Sequence, residues 1–352
     1  MKATVKKMYR SNMLNFKPLN RAGILLLVAT LFIVIYATFN RGNAMNILKQ
    51  EPVFKLSINT FGTKYLVKVN GVTVLREFSP DGQLTTTIPI NHWMHPKQNH
   101  FTLYVLPENP GDDFNPHAYV ELGLVITENT HRDQEYSLPI LHFHGKGAAS
   151  EQEMQTSMAP GLYDLGAGVE EKDDGPIQIT DLNKAPLADY ESAVVYRRQM
   201  FAENSLPQWA FFTSDELPDY YAMPDEPFYE AMDSLLVPYM KVQNALASGH
   251  IAGILPMFEE RNREIDTAFY LEPGSTAQRI KDSMEKNINN PELTLAELKR
   301  DYVDITLEEN RKLVSLHREG FTSAVGFNFK TGGSTNYDMM FRRENGKWVL
   351  TR

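Results

Sequence analysis

The chain has 352 residues, 35 of them basic and 44 acidic, for a formal net charge of −9, and it contains no cysteine. The missing thiols exclude disulfides, thiolate metal sites, cysteine nucleophiles and a lipid anchor on cysteine. Eight of the basic residues and none of the acidic ones lie in the first 50 positions, so residues 51–352 carry 27 against 44, a net of −17. A surface that acidic excludes general nucleic-acid binding, which needs cations to neutralise phosphates.

In chain order, residues 1–21 are basic, with Lys2, Lys6, Lys7, Arg10, Lys17 and Arg21, and read as a cytoplasmic tail. Residues 22–39 (AGILLLVATLFIVIYATF) form the longest apolar run. About 18 apolar residues in a helix just span a hydrocarbon core, and basic flanks stay inside. The run is longer than a signal-peptide core and lacks a clear small-x-small cleavage site, so it reads as an uncleaved signal-anchor. These features predict a single-pass protein of a bacterial inner (cytoplasmic) membrane. Its N-terminus would lie inside and its bulk in the periplasm or outside, with membrane contact through 22–39.

Residues 40–51 read as a polar linker. Residues 52–218 then show period-two alternation. Strands are expected at 64–69 and 72–78, joined by Asn70-Gly71, which favours a type I′ turn. Further strands are expected at 84–90, 101–106, 117–128, 136–144, 192–202 and 208–213. Short strands with turn signals between them predict an all-β sandwich. Residues 145–176 are rich in Gly, Ser and acids and read as a long loop.

Residues 215–227 carry three prolines and five acids and mark a boundary. Beyond it the period becomes 3.6. Phe228, Met232, Leu235, Tyr239, Val242 and Leu246 fall on one helical stripe, with Gly249 past its end. A second helix is expected over 251–270. A third is expected from Ser275, where Ser275 and Gln278 fit a capping box. Alternating strands follow, with Gly332-Gly333 and Asn345-Gly346 as turns.

The ending FRRENGKWVLTR, with Phe341, Asn345, Gly346, Lys347 and Trp348, resembles the NTF2-like (cystatin-like cone) superfamily over about residues 226–352. The resemblance implies an α+β domain whose cone holds a ligand pocket. Phe327, Phe329, Tyr337, Met339 and Phe341 are the inward candidates; the small ligand itself is not specified. Asp338 has the opposite strand parity from Tyr337 and Met339 and should point away from them. Residues 91–107 (NHWMHPKQNHFTLYVLP) resemble a strand of the sugar-binding jelly-roll domains attached to glycosidases. That likeness implies carbohydrate stacking on Trp93 and Trp209.

Seven of the nine histidines lie between positions 92 and 144. His142 and His144 share one strand face. With His92, His95 or His100 they are the candidate metal ligands, since imidazole suits zinc, copper or nickel; scattered surface histidines are the competing reading, and no metal is assigned. No G-x-S-x-G, GxxxxGK[ST] or H-E-x-x-H sequence is present, so no catalytic residue and no cofactor is assigned. The expected fold is thus a transmembrane helix, an all-β sandwich and an α+β NTF2-like domain. The expected role is non-catalytic binding or assembly with another extracytoplasmic protein. The alternatives are a periplasmic carbohydrate-binding protein or carbohydrate-active enzyme, and a membrane-bound immunity-type protein.

Overall fold

The structure, a computed structural model, describes residues 51–78, 82–145, 171–178, 194–201 and 204–352. It is mainly β. The first half contains β1 (Pro52–Phe61), β2 (Lys64–Val69), β3 (Val72–Glu77), β4 (Gln83–Pro89), β5 (Gln98–Leu106), β6 (Tyr119–Glu128), β7 (His131–His144), β8 (Glu171–Gln178) and β9 (Val194–Phe201). One sheet has the order β4-β1-β6-β7, the other β3-β2-β5-β9-β8, and both are antiparallel. Alternation in β1 buries Phe54, Leu56 and Ile58 and turns Lys55, Ser57 and Asn59 outward. These side chains share one core with Val67, Leu103 and Tyr196 of the second sheet. This is the packing of two inner faces that alternating strands demand.

The β2–β3 turn forms as its sequence requires. Asn70 and Gly71 take φ of 52° and 75°, and both central residues of a type I′ turn need positive φ. The turn folds β3 back on β2 and so places it at the edge of its sheet, where one side remains open to other elements.

The second half carries the helices: α1 (Asp225–Ser248), α2 (Glu259–Ala268) and α3 (Ser275–Ile288). Asp225 and Glu226 favour the positive N-terminal end of α1, and Gly249 at φ 73° closes it. Eight short strands follow: β10 (Leu293–Leu295), β11 (Asp304–Leu307), β12 (Val314–Arg318), β13 (Thr322–Ser323), β14 (Val325–Phe329), β15 (Ser334–Tyr337), β16 (Phe341–Glu344) and β17 (Lys347–Leu350). They divide into a sheet β10-β14-β15 and a sheet β11-β12-β16-β17, with β13 paired to β12. The stripe Met232, Leu235, Tyr239, Val242 and Leu246 packs on these strands in a second core.

Several expectations are corrected. The expected fold class is corrected: the described residues form four sheets, two of them packed on one core, with three α-helices, and show no N-terminal membrane helix. Among the described residues no helix is long and apolar enough to cross a membrane. The longest, α1, has 24 residues and carries the charged Asp233 and Lys241 on its exposed side. Residues 22–39, where the span was expected, lie outside the described residues, as do 1–21 and most of 40–51. The membrane and periplasmic assignment built on that span therefore has no support in the structure. The alternating strands expected after the helices are split between two sheets. The long loop expected over 145–176 ends early, because Glu171–Gln178 pairs with β9; residues 146–170 lie outside the described residues. The helix expected over 251–270 begins as two 3-10 turns and becomes α-helical only at Glu259. Ser275 does not cap α3; Gly274 occupies that position without a side-chain hydrogen bond. Residues 210–213 form a 3-10 turn rather than a strand.

Candidate functional site

The sequence candidates are not brought together. Phe327, Tyr337, Met339 and Phe341 are core side chains, and Phe329 is exposed at the end of β14. Trp209 is 2% exposed and its indole N–H donates to the Asn91 carbonyl at 3.1 Å, so it presents no face to a sugar. Trp93 is also in the core, at 8% exposure. His142 and His144 pack edge-to-face on each other at 4.5 Å, and His144 also meets Tyr119. His92 instead packs on Trp93 and Phe269, and His95 on Phe212. Among the described residues no group of three His, Asp or Glu side chains converges as a metal site.

What the fold does build is a polar cleft of about 400 Å³ where β3 meets β12, β13, α2 and residues 338–340. One wall is fixed by residues 308–310. Glu308, 2% exposed, accepts hydrogen bonds from the Thr73 N–H and hydroxyl, each at 2.9 Å. The Asn310 N–H donates to the Gly71 carbonyl at 3.4 Å, and its side-chain amide to the Asn70 carbonyl at 3.2 Å. Glu309 accepts from the Tyr104 hydroxyl at 2.7 Å and pairs with Arg197 at 3.1 Å and Lys68 at 3.5 Å. Burial alone would raise the Glu309 carboxyl, but Lys68, Tyr104 and Arg197 outweigh it and hold it below the usual range. A carboxylate with three such partners anchors one half of the chain to the other.

The other wall is fixed by Arg352. Its guanidinium pairs with Glu264 and donates to the His92 carbonyl at 2.8 Å. It also lies over the rings of Phe211 at 4.8 Å and Trp93 at 5.2 Å. A bidentate-capable cation on aromatic faces tolerates this burial because a carboxylate meets it directly. Arg352 is therefore a neutralised, structural cation.

Two other arginines in the cleft are held differently. Arg76, on β3, directs one Nη toward His317 Nε2 at 3.1 Å and the Phe321 carbonyl at 3.1 Å, and lies over the Phe321 ring. Arg261, on α2, donates to the Asn262 side chain at 3.2 Å. Neither has a carboxylate oxygen within 4 Å among the described residues. Burial lowers the pKa of both: for Arg76 against the opposing pull of Glu308 and Asp338, for Arg261 with Arg352 adding to the effect. Partly desolvated guanidiniums without a contacting anion are destabilising.

His317 is 7% exposed and neutral; burial, then Arg76, pushes its pKa down to about 4. Its tautomer follows from its neighbours. Arginine only donates, so Nε2 accepts, and Nδ1–H donates to the Thr306 hydroxyl at 3.1 Å. His92 is neutral as well, lowered by burial and then by Arg352 and Arg261, and its buried Nδ1 has no hydrogen-bond partner among the described residues. Asp338 is exposed between the buried Tyr337 and Met339, and accepts from the Ser323 hydroxyl. Its parity is the one expected from sequence. The face it turns to is the cleft rather than bulk solvent alone.

Sequence reasoning missed this site because its parts are far apart: Arg76 and His317 are 241 residues from each other. No family model, no curated protein and no solved structure matches the chain, so the NTF2-like and jelly-roll resemblances rest on their sequence motifs alone.

Proposed function

We propose that the protein binds a small anionic molecule in this cleft and that its role is binding rather than catalysis. The observation that carries the reading is the pair Arg76 and Arg261: two desolvated guanidiniums in one cleft, neither touched by a carboxylate. A bound oxyanion would supply the missing contact through charge-assisted hydrogen bonds, which are about twice as strong as neutral ones. The cleft volume of about 400 Å³ is that of a small-molecule site. Binding is favoured over chemistry because both ring nitrogens of His317 are committed inside the protein, which leaves it no free position for proton transfer.

The test is calorimetric titration of the full chain with inorganic phosphate, acetate and glutarate. At least one should bind at a single site. Arg76→Gln and Arg261→Gln should each weaken it by about tenfold or more, the equivalent of roughly 1.4 kcal/mol. Arg300→Gln is the control: Arg300 is a half-exposed arginine paired with Asp233 on the surface, and its loss should change nothing. The reading fails if all three probes give no heat, or if the control variant weakens binding as much as the cleft variants do.

A further inference from the structure

Charged groups make up only part of the cleft wall, and its apolar part narrows the ligand, an inference that rests on the anion-binding reading above. Arg261 and Ile265 both line the cleft and lie four residues apart on α2, so a cation and an apolar side chain share one face of that helix. Glu264 pairs with Arg352, whose guanidinium lies over the Trp93 ring at 5.2 Å. The main chain of Arg352 in turn accepts from the Met340 N–H at 2.7 Å. The Asn91 amide donates to the Ala268 carbonyl at 2.7 Å and ties the turn that carries Trp93 to the same helix. Trp93 and Met340 line the cleft together with Ile265. Ile265 and Met340 are only partly buried, and Ile265 belongs to neither hydrophobic core.

The uncharged polar side chains of the cleft are committed to partners inside the protein. The Thr73 hydroxyl donates to Glu308 and the Ser323 hydroxyl to Asp338. His317 is held between Arg76 and Thr306. A hydroxylated ligand body would find these groups already engaged, whereas an apolar body would cover Ile265 and Met340 without displacing a hydrogen bond. Size points the same way. The cleft volume of about 400 Å³ is that of roughly a dozen waters at ~30 Å³ each, so acetate or phosphate alone would leave most of it to solvent.

We propose that the ligand is an amphipathic carboxylic acid, its charged group received by the cleft arginines and its apolar body laid on Ile265, Met340 and Trp93. The charge supplies the contact that Arg76 and Arg261 lack, and the body removes apolar surface from water. Each methylene that enters the cleft should tighten binding by about fourfold until the space is filled.

The experiment is calorimetry on the full chain with acetate, butyrate, hexanoate and octanoate, with gluconate as a hydroxylated match for hexanoate and octylammonium as a cationic match for octanoate. Affinity should climb along the acid series by about fourfold per methylene, gluconate should bind at least about tenfold more weakly than hexanoate, and octylammonium should not bind. Ile265→Asn should weaken octanoate by about fivefold or more and leave inorganic phosphate unchanged. Met340→Gln is the second variant, read in the same way should the helix substitution disturb the far-UV circular dichroism. If phosphate or acetate binds but octanoate binds no tighter than acetate, or if gluconate matches hexanoate, the apolar contact is wrong and simple anion binding stands. If octylammonium binds as well as octanoate, or if Arg76→Gln and Arg261→Gln leave octanoate unchanged, the cleft is an apolar pocket and the anion-binding reading falls with the proposal. If no acid binds and inorganic phosphate also gives no heat, both fall.

Discussion

Replacing His317 with asparagine should change how stability depends on pH, and the size of the change follows from its surroundings. The ring is 7% exposed, and burial followed by Arg76 brings its pKa from 6.5 down to about 4. In the unfolded chain the same ring takes up a proton near 6.5. Between these values the unfolded state binds more protons, so stability falls as pH drops through the window and is unaffected well above it. The full drop corresponds to roughly 3 kcal/mol at 1.36 kcal/mol per pKa unit. At pH 8 the asparagine variant should be less stable by about 1–2 kcal/mol, because the bonds to Arg76 and Thr306 are lost or weakened. By pH 4 the wild type should have lost its advantage and become the less stable of the two. Urea unfolding of both proteins at unit steps from pH 8 to 4 reads this directly. His92 and the carboxylates Glu309 and Glu260 contribute acid sensitivity to both proteins and cancel in the difference. A wild-type-minus-variant difference that stays flat across the range would refute a neutral, buried His317.

Gly71→Ala should destabilise by about 2 kcal/mol or more. Its φ of 75° already strains any side chain, and the added Cβ would sit 2.8 Å from the Asn310 backbone nitrogen. Anion binding should weaken in parallel, since the same loop holds Glu308 against β3. Asn91→Ala should cost about 3 kcal/mol or more in urea unfolding, because the buried amide satisfies the Phe54 N–H at 2.6 Å and the Pro52 and Ala268 carbonyls at 2.7 Å each. Tyr239→Phe should cost about 2 kcal/mol, as its hydroxyl donates to the Met339 carbonyl at 2.6 Å and accepts from the Leu316 N–H at 2.9 Å, both residues of the cleft wall. A thermal melt unchanged by Tyr239→Phe would show that this bridge contributes nothing.

Local features were readable from the sequence where one residue type has one physical use. Asn70-Gly71 supplies two positive φ angles, and the Met232–Leu246 stripe has a helical period with a glycine past its end. Strand β1 was not among the expected strands although Phe54, Leu56 and Ile58 alternate, because no turn signal separates it from the linker 40–51 before it. Strand β8, EKDDGPIQ, has no apolar alternation at all; its pairing with β9 is set by the partner strand and not by its own pattern. The cleft lay beyond reach for a related reason. Strand parity gave the direction of Asp338, but what it faces is supplied by β3, more than 250 residues earlier. The tryptophans illustrate the reverse case: the jelly-roll likeness implied sugar stacking, while the indole of Trp209 is spent on the core and on the Asn91 carbonyl.

The central claim, that Arg76 and Arg261 receive an anion, is tested most directly by watching the guanidiniums themselves. In the full chain, the ¹⁵N–¹H signals of the arginine Nε groups can be assigned by single Arg→Lys substitutions and followed during titration with glutarate and glutamate. The account predicts saturable shifts at Arg76 and Arg261 with one shared dissociation constant, and little movement at Arg352, which Glu264 already neutralises. Movement confined to surface arginines, or linear drift without saturation at both cleft positions, would contradict it.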